Sequence, residues 1–452
     1  MSIFKDHFPR IGSSGASTGY TIDQSIRFNY GDSPYMYRSP SSTGNRKKFT
    51  NSFWYKRGAK IGDYQALPSV HTTESGGSYG MYLSTANVLQ VFTYYTGSAW
   101  QGLHYSNRVF RDVSAWYHFV WTVDTTHPTA SERVRIYING VRETSWSSES
   151  YPSQNQDLSF NNSGEQHNVG KDANGSYYVD GYGAEMHYID GYSYGPEYFG
   201  EFDENGIWIP KEYSGSYGTN GFYIEGSNSG SLGTDSSGNG NNLTVSGLQS
   251  NDQKTDSPTN NHCTWNPLTG SAQVYTNGNL NAATASSAWK GGLTTMQVPL
   301  NSGIWYYEMY IDSAGSSSGQ FSIGWSESDR SITDDNSSGD TQGWVTYAIN
   351  GKTYNNASST VSYGATYTTG DVIGCKIDTD TSSNNITFYK NGASQGNLSE
   401  AFNAGTSGFI SPYILLYGTR NGTARFAYNE WTQTPTGITE SNAINSINLG
   451  AI

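Results

Sequence analysis

Apolar and polar residues alternate in short runs along much of the chain, and these runs end in Gly, Asn, Asp, Ser or Pro. Such alternation places every second side chain on one face, which is typical of half-buried strands closed by turns. No long segment shows the three-to-four-residue spacing of an amphipathic helix. The pattern therefore predicts an all-β protein.

Two hairpins of the same kind stand out, one in each half of the chain. Alternate residues of 134–138 and of 386–388 are apolar, and each run is followed by an Asn-Gly pair. Asn-Gly supplies the two positive-φ positions of a type I′ turn. These pairs are Asn139-Gly140 and Asn391-Gly392. The repetition predicts two similar antiparallel β-sandwiches in tandem.

Composition and charge narrow the choice of partners. Charged residues make up 14% of the chain, and its net charge of −13 repels phosphate backbones and anionic membranes. No apolar run reaches the roughly 20 residues of a membrane span, and residues 1–12 lack an apolar stretch of signal-peptide length. We therefore expect no nucleic-acid partner, no membrane insertion, and a chain that stays in the cytoplasm where it is made.

Several motifs resemble known families. Residues 20–225 resemble a concanavalin-like or laminin-G-like lectin domain, most strongly over 115–146. Residues 188–268 resemble a recurrent module of tailed-phage virion proteins, especially marine ones. The second half resembles a SPRY domain through GIWYYE, IGW, GDVIGCKIDTD and SPYILLYG, which begin at residues 303, 323, 370 and 411. The resemblance implies a virion appendage, such as a tail fibre, head fibre or decoration, with two lectin-like sandwiches and no catalysis.

The resemblance and the local composition divide the chain into segments. Residues 226–247 are so poor in apolar side chains that no core strand is expected before Leu243 and Val245, so this stretch is a boundary or a long surface loop. We expect the domain change near residue 265. The segments are an N-terminal arm that either anchors the chain in a virion or frays (1–18), a concanavalin/laminin-G-like sandwich (19–226), a Gly/Ser/Asn-rich loop and connector (227–270), a SPRY-like sandwich (271–430) and a C-terminal tail (431–452).

Catalytic patterns are present but incomplete. G-x-S-x-G occurs at 15–19, 191–195 and 315–319, and three matches in a chain so rich in Gly and Ser indicate chance. A paired-carboxylate glycosidase motif comes closest at 201–204, but Gly206 stands where the second Glu is needed. A solvated acidic turn is the simpler interpretation. A polysaccharide depolymerase that uses carboxylates from distant loops stays open.

Metal ligands are also few. Cys263 and Cys375 are too few and too far apart for a zinc motif or a disulfide framework. Calcium instead takes oxygen ligands from flexible Gly-containing loops, and one loop of this kind is a candidate calcium site. Its side chains are Asp235, Asn239, Asn241 and Asn242. The alternative is a glycine-rich turn whose polar groups bond to its own backbone.

Binding chemistry is more abundant than catalytic chemistry. Sugars present C–H faces that pack on aromatic rings and hydroxyl groups that bond to Asn, Asp, Ser and Gln. Candidate glycan-binding residues in the first sandwich are Tyr79, Tyr82, Tyr94, Tyr95 and Trp100, with His104 more readily explained as structural. Those in the second are Asp334, Asp335, Trp344, Tyr347 and Tyr354. Rings on strands alternate between core and surface, so packing is the alternative for each. We assign Trp116, Trp121, Trp305 and Trp325 to the core.

Together these features predict a non-enzymatic phage virion protein that binds glycan on a bacterial surface. Weak sites would act through many copies on one particle. Its other expected partners are virion proteins and copies of itself, with a homotrimer as one form. The competing hypothesis is a purely structural virion protein whose rings form subunit interfaces, because interface cores are also rich in Tyr and Trp.

Overall fold

The computed structural model describes residues 19–71, 78–96, 99–172, 175–269, 273–286, 288–315, 321–328, 343–355, 361–381, 385–399 and 408–450. The chain divides between Asn260 and Asn261 into two compact units, a few residues before the expected position. The predicted N-terminal arm and Asp334 and Asp335 lie outside the described residues.

The first unit is built from strands, with short 3-10 turns between them. Its strands are β1 (Ser25–Phe28), β2 (Tyr35–Arg38), β3 (Lys48–Arg57), β4 (Gln65–His71), β5 (Ser78–Leu83), β6 (Val88–Thr96), β7 (Ala99–Val109), β8 (Trp116–Asp124), β9 (Val134–Ile138), β10 (Val141–Arg142), β11 (Trp146–Glu149), β12 (His167–Val169), β13 (Gly181–Asp190), β14 (Gly200–Phe202), β15 (Trp208–Pro210), β16 (Phe222–Ile224), β17 (Thr244–Ser246) and β18 (Gln253–Lys254).

Sixteen of these strands form two eight-stranded antiparallel sheets that enclose one core, and β14 and β15 pair separately with each other. The first sheet has the order β10-β9-β8-β3-β13-β1-β18, with β16 beside β13, and the second has the order β11-β7-β6-β5-β4-β12-β2-β17. Buried side chains of both sheets join in one cluster, which includes Phe49 and Trp121 from the first and Met81 and Val91 from the second. Burying rings of this size removes a large apolar area from water.

The outer face of the first sheet is covered as well. Residues 192–217, which we call the cover segment, lie over β3, β8 and β13 and form two smaller clusters there. The hydroxyls of Thr50 and Thr122, both fully buried, hydrogen-bond to Tyr192 O at 2.9 Å and to Ser193 Oγ at 2.7 Å. The central strands β3, β8 and β13 are therefore buried on both faces, as the nearly continuous runs of buried residues in them reflect.

Residues 227–260 belong to the first unit, which corrects the expectation of a connector over 227–270. Strand β17 pairs with β2 and β18 pairs with β1. Two buried ion pairs fix the segment. Arg27 Nη2 lies 2.8 Å from Asp252 Oδ1, and Lys56 Nζ lies 2.8 Å from Asp256 Oδ2. A stretch poor in apolar residues is thus held by ion pairs and strand pairing together with a few core residues such as Leu232 and Leu243.

The second unit is again all-β apart from 3-10 turns and one short helix. Its elements are β19 (Val274–Thr276), β20 (Asn281–Thr284), β21 (Lys290–Leu293), β22 (Val298–Pro299), β23 (Ile304–Ser313), β24 (Phe321–Glu327), β25 (Trp344–Ala348), β26 (Lys352–Asn355), β27 (Val361–Ser362), β28 (Val372–Asp378), β29 (Asn385–Lys390), β30 (Ala393–Ser399), β31 (Phe409–Leu416), β32 (Arg420–Arg425) and α1 (Ser446–Gly450).

Two antiparallel seven-stranded sheets make up this unit. One has the order β19-β20-β32-β23-β28-β29-β30, and the other β21-β31-β24-β25-β26-β27, with β22 beside β31. The all-β prediction with two tandem sandwiches is confirmed. The four tryptophans assigned to the core are buried, Trp116 at 8% exposure and the other three at 2% or less.

Residues 431–445 pack onto the second unit, which corrects the expectation of a C-terminal tail over 431–452. Trp431 meets Tyr306 edge to face, with ring centroids 4.7 Å apart. The carboxylate of Glu308, fully buried, accepts hydrogen bonds from the backbone amides of Thr432 at 2.8 Å and Gln433 at 2.9 Å. Charge-assisted bonds to a buried carboxylate are strong, so this segment is an integral part of the fold.

Both predicted hairpin turns are confirmed. Asn139 and Gly140, between β9 and β10, have φ values of 48° and 77°. Asn391 and Gly392, between β29 and β30, have φ values of 48° and 80°. Cys263 and Cys375 are both buried, and no disulfide joins them. In the part of the chain that the structure describes, no helix is long and apolar enough to cross a membrane.

Candidate functional site

The outer face of the second sheet of the first unit carries a group of accessible aromatic rings. We call Tyr64, Gln90, Phe92, Tyr105 and Tyr177 the polar-aromatic face. Gln90 of β6 pairs with Tyr105 of β7, so their side chains share one face of the sheet, and Phe92, two residues on, lies on that face too. The intervening Val91 points into the core.

Direct contacts connect these five residues. Tyr64 Oη donates a hydrogen bond to Gln90 Oε1 at 3.1 Å. The rings of Tyr64 and Tyr177 lie 5.1 Å apart, and those of Phe92 and Tyr105 lie 5.8 Å apart edge to face. Gln90 itself is only 9% exposed, so its amide is largely covered by the residues around it.

Tyr177 is the most exposed ring of the face and has an unusual backbone. Its side chain is 47% exposed, and its φ is 55°. A non-glycine residue in this region is strained, and such strain persists only where neighbouring structure imposes it. Here the amide of Ala66 in β4 donates to Tyr177 O at 2.8 Å. The loop thus holds this ring beside Tyr64 before any ligand arrives.

The hydroxyl of Tyr105 on this face stays neutral at physiological pH. Burial, and in second place the nearby Tyr64, raise the pKa of Tyr105 above its ordinary value. A protonated phenol can both donate and accept a hydrogen bond. The face therefore combines ring surfaces with neutral hydroxyl and amide groups.

A neighbouring group on the same sheet is less available. The rings of Tyr35 and Tyr37 stack at 5.7 Å. Lys171 Nζ already lies 3.7 Å from the centroid of the Tyr35 ring. A cation in this position occupies the ring face that a ligand would use. We therefore leave this group out of the site.

Two of the glycan-binding residues predicted for the first sandwich are buried, so they are not accessible to a ligand at the surface. Tyr79 is 1% exposed and belongs to the core. Tyr82 shares the face of Gln90 but is 5% exposed and packs edge to face on Phe92. The side chains of Tyr94, Tyr95 and Trp100, in β6 and β7, lie outside the described residues. Their role as glycan contacts stays a prediction.

His104 is structural in the fold, as expected. It is 1% exposed and faces the core between the rings of Trp146 and Tyr151, about 5 Å from each. Burial lowers the pKa of His104 to about 4. The imidazole is therefore neutral at physiological pH.

The candidates of the second unit are mostly buried too. Trp344, 4% exposed, packs with Leu293 and Tyr413, and Tyr347 is fully buried between the sheets. Tyr354 is half-buried against the Trp344 cluster and accepts a hydrogen bond from Asn350 Nδ2 at 2.9 Å. The predicted roles of Trp344 and Tyr347 as surface glycan contacts are corrected by this packing.

The candidate calcium loop is bonded largely to the protein itself. The carboxylate of Asp235 accepts hydrogen bonds from the amides of Tyr223, Ser237 and Asn241 and from the Ser237 hydroxyl, all at 2.8–2.9 Å. The side-chain amides of Asn239 and Asn241 donate to carbonyl groups of residues 218–221, and Asn242 Oδ1 accepts from the Asp235 amide at 2.8 Å. The described residues contain no group of three or more acidic, His or Cys side chains placed to hold a metal. Calcium binding at this loop stays a prediction.

The acidic motif and one serine–histidine contact have structural explanations. Asp203 Oδ1 accepts hydrogen bonds from the amides of Asn205 and Ile207, as in a solvated acidic turn.

Ser52 Oγ lies 2.9 Å from His118 Nε2, but Trp208 Nε1 donates to His118 Nδ1 at 3.0 Å. Because an indole nitrogen only donates, the neutral ring carries its proton on Nε2 and donates to the serine. This geometry does not activate the hydroxyl.

The family matches agree with this architecture. Residues 31–191 match the model of the concanavalin A-like lectin/glucanases superfamily, and residues 304–429 match that of the SPRY domain. The first unit thus contains a segment similar to the concanavalin-like family, and the second a segment similar to SPRY domains. No curated protein matches the chain.

Solved structures show likenesses of fold. The SPRY domain of human HERC1 is 20% identical, with 35% of this chain and 96% of that chain covered and a TM-score of 0.30. A heptameric SAP-like pentraxin from Limulus polyphemus is 13% identical, with 38% and 78% covered and a TM-score of 0.29. A putative carbohydrate binding protein from Bacteroides ovatus is 15% identical, with 52% and 60% covered and a TM-score of 0.33. These likenesses carry no argument about ligands.

The sequence did not indicate the polar-aromatic face itself. Tyr64, Phe92, Tyr105 and Tyr177 belong to no motif and are spread over two strands and two loops. The alternation of polar and apolar residues in β6 could have indicated that Gln90 and Phe92, on either side of the core residue Val91, share the outer face. Their approach to Tyr105 depends on the pairing register of β6 and β7, which alternation alone leaves unspecified.

Proposed function

We propose that this protein is a non-enzymatic phage virion component, a tail fibre, head fibre or decoration, that binds host-surface polysaccharide through the polar-aromatic face of its concanavalin-like domain. One observation carries the binding proposal. Three tyrosine rings are grouped on this face, half-buried at Tyr64 and Tyr105 and 47% exposed at Tyr177, whose strained backbone holds it beside Tyr64. The concanavalin-like and SPRY matches are compatible with a binding role.

The chemistry of this face suits a sugar. The C–H face of a pyranose packs on a tyrosine ring, while the amide and phenol groups bond to its hydroxyls in fixed directions. Side chains held by a sheet lose little conformational entropy on binding. The contacts are shallow, so we expect weak single sites whose effect grows with the number of copies.

The place in a virion rests on the resemblance of residues 188–268 to a module of tailed-phage virion proteins. Residues 192–217 of this stretch form the cover segment of the first sheet. Assembly with other virion proteins and a homotrimeric state belong to the same proposal.

Glycan binding is tested with the full chain displayed in many copies on beads, on an array of bacterial capsular and lipopolysaccharide glycans. We expect binding to at least one glycan class. The double substitution Tyr64→Ala and Tyr105→Ala should weaken it by roughly tenfold, since each lost ring contact is worth about 0.5–1.5 kcal/mol. Tyr428→Ala is the matched control, because Tyr428 is 43% exposed in the other unit.

Absence of binding at every density would reject the receptor role and favour a purely structural one. Release of reducing ends from a bound glycan would instead indicate a depolymerase. An unchanged affinity in the double variant, with binding intact, would move the site away from the polar-aromatic face.

A further inference from the structure

We propose that Tyr192, Tyr194 and Tyr198 of the cover segment form a second platform, which binds a neutral carbohydrate chain. We call these three residues the tyrosine platform. The inference rests on the proposed glycan-binding function for the class of its ligand, but on separate residues and a separate sheet for its evidence.

The three rings form a ladder. The rings of Tyr192 and Tyr194 are almost parallel, with an interplanar angle of 3° and centroids 5.4 Å apart. Those of Tyr194 and Tyr198 lie 4.2 Å apart at 31°. The two terminal rings are 42% and 44% exposed. Single exposed rings are common on protein surfaces, but adjacent exposed rings form a continuous apolar patch, which is more typical of a binding surface.

The platform is fixed from below. Thr50 Oγ1 donates a hydrogen bond to Tyr192 O and accepts one from the Tyr194 amide, both at 2.9 Å. Thr50 is fully buried in β3. Tyr194 also packs against Tyr213, with centroids 6.0 Å apart, in a cluster on the first sheet. The rings are therefore ordered before binding, which reduces the entropy lost on association.

The surroundings favour a ligand without net charge. Arg135 Nη2 donates to Ser193 Oγ at 3.0 Å, beside the ladder. Lys211 Nζ bonds to the carbonyl of Glu197, whose own carboxylate is exposed. These two cationic groups and one anionic group largely offset one another, so we expect no strong attraction for a polyanion. Hydroxyl and guanidinium donors remain suited to sugar hydroxyl groups.

Tyr194, the central ring of the ladder, stays neutral as well. Burial, as the largest cause, raises the pKa of Tyr194 above its ordinary value. Its hydroxyl can thus donate and accept. Ring faces with neutral hydroxyls at their edges match the alternation of C–H and O–H groups around a pyranose.

The inference is tested by electrophoresis of the full chain through native gels that contain dextran, galactomannan or laminarin as neutral probes. We expect at least one polysaccharide to retard the wild type. Tyr192→Ala combined with Tyr198→Ala should weaken this retardation by roughly tenfold, because two ring contacts are lost. Tyr192→Phe combined with Tyr198→Phe keeps the rings and should retain most of it. Tyr428→Ala should migrate as the wild type does.

The outcomes separate this inference from the proposed function. If retardation survives the Tyr192 and Tyr198 alanine pair but is lost with Tyr64→Ala and Tyr105→Ala, the tyrosine platform is not a sugar site and the polar-aromatic face is. If only the first pair weakens it, the platform is supported and the polar-aromatic face is not. No retardation by any of the three probes rejects the platform, whereas binding to a bacterial glycan on the array would still support the proposed function.

A second copy of the chain is the other occupant that exposed rings could receive. Sedimentation velocity of the wild type and of the alanine pair distinguishes it. A wild type that self-associates and a variant that does not would make the ladder a subunit interface and overturn the sugar platform. An unchanged sedimentation coefficient, together with weakened retardation, supports it.

Discussion

At the scale of single residues, the buried ion pair of Lys56 and Asp256 is the most sensitive point of the first unit. The Lys56 side chain has no exposed surface, and its Nζ lies 2.8 Å from Asp256 Oδ2. Trp116 Nε1 donates to the other carboxylate oxygen at 3.1 Å. A charge buried to this degree needs its counter-ion, because removing one partner of a buried pair leaves the other unsolvated.

We expect Asp256→Ala to lower the free energy of unfolding of the first unit by about 3–5 kcal/mol. The matched control is Asp157→Ala, since Asp157 pairs with Lys47 at 3.8 Å with both side chains exposed, and it should change stability by at most about 1 kcal/mol. Urea unfolding measures both. The joint change Lys56→Met and Asp256→Leu should recover most of the loss, and equal effects of the two single alanine variants would contradict this account.

At the scale of elements, the two Asn-Gly hairpins share a turn but differ in their surroundings. A methyl group at Gly140 would overlap the ring of Trp208, whereas at Gly392 the nearest atom would be Gln433 O, 3.4 Å away. Both glycines have positive φ. The same substitution therefore separates backbone strain from steric overlap.

Gly392→Ala should lower the free energy of unfolding by about 1–2 kcal/mol, the strain of an L-residue at positive φ. Gly140→Ala should lose that amount and a further 1–3 kcal/mol or so from overpacking, because it displaces Trp208 from its hydrogen bond to His118. Thermal unfolding with tryptophan fluorescence follows both. A larger loss at Gly392 than at Gly140 would argue against the packing of Trp208 on β9 and β10.

These hairpins also show which parts of the fold the sequence could predict. A type I′ turn is specified by two adjacent residues and the strands beside them, so it was predicted to the residue. The exposure of Tyr82 or Trp344 depends on what covers a sheet face, which is not a local property. Trp344 is buried because Leu293 and Tyr413, from other strands, pack around it. For the same reason residues 227–260 looked like a connector, since their anchors, Arg27 and Lys56, are distant in sequence.

At the scale of the whole molecule, stability should depend on pH through buried histidines of the first unit. Burial, as the largest cause, lowers the pKa of His104 to about 4 and the pKa values of His118 and His167 to about 3. In the unfolded chain each imidazole has a pKa near 6.5. Below that pH the unfolded chain binds protons that the folded chain does not, so stability falls as the pH falls from about 6.5 toward 4.

The loss should reach up to roughly 6 kcal/mol at pH 5 for the three imidazoles together. Unfolding by urea between pH 5 and 7.5 measures it. His104→Phe keeps a planar ring and removes one titrating group, so its stability should decline by about a third less over this range. An unchanged pH dependence in His104→Phe would mean that this imidazole takes up its proton as readily in the folded state as in the unfolded one.

The ion pairs and strand pairs that attach residues 227–260 to the first unit have a practical consequence for producing the concanavalin-like domain alone. A chain shortened to residue 226, where the glycine-rich stretch starts, would lack Asp252 and Asp256 and leave Arg27 and Lys56 in the interior without counter-ions. It would also lose the edge strands that pair with β1 and β2. An isolated domain must therefore extend through residue 260, although the glycine-rich composition from residue 226 onward is typical of a linker.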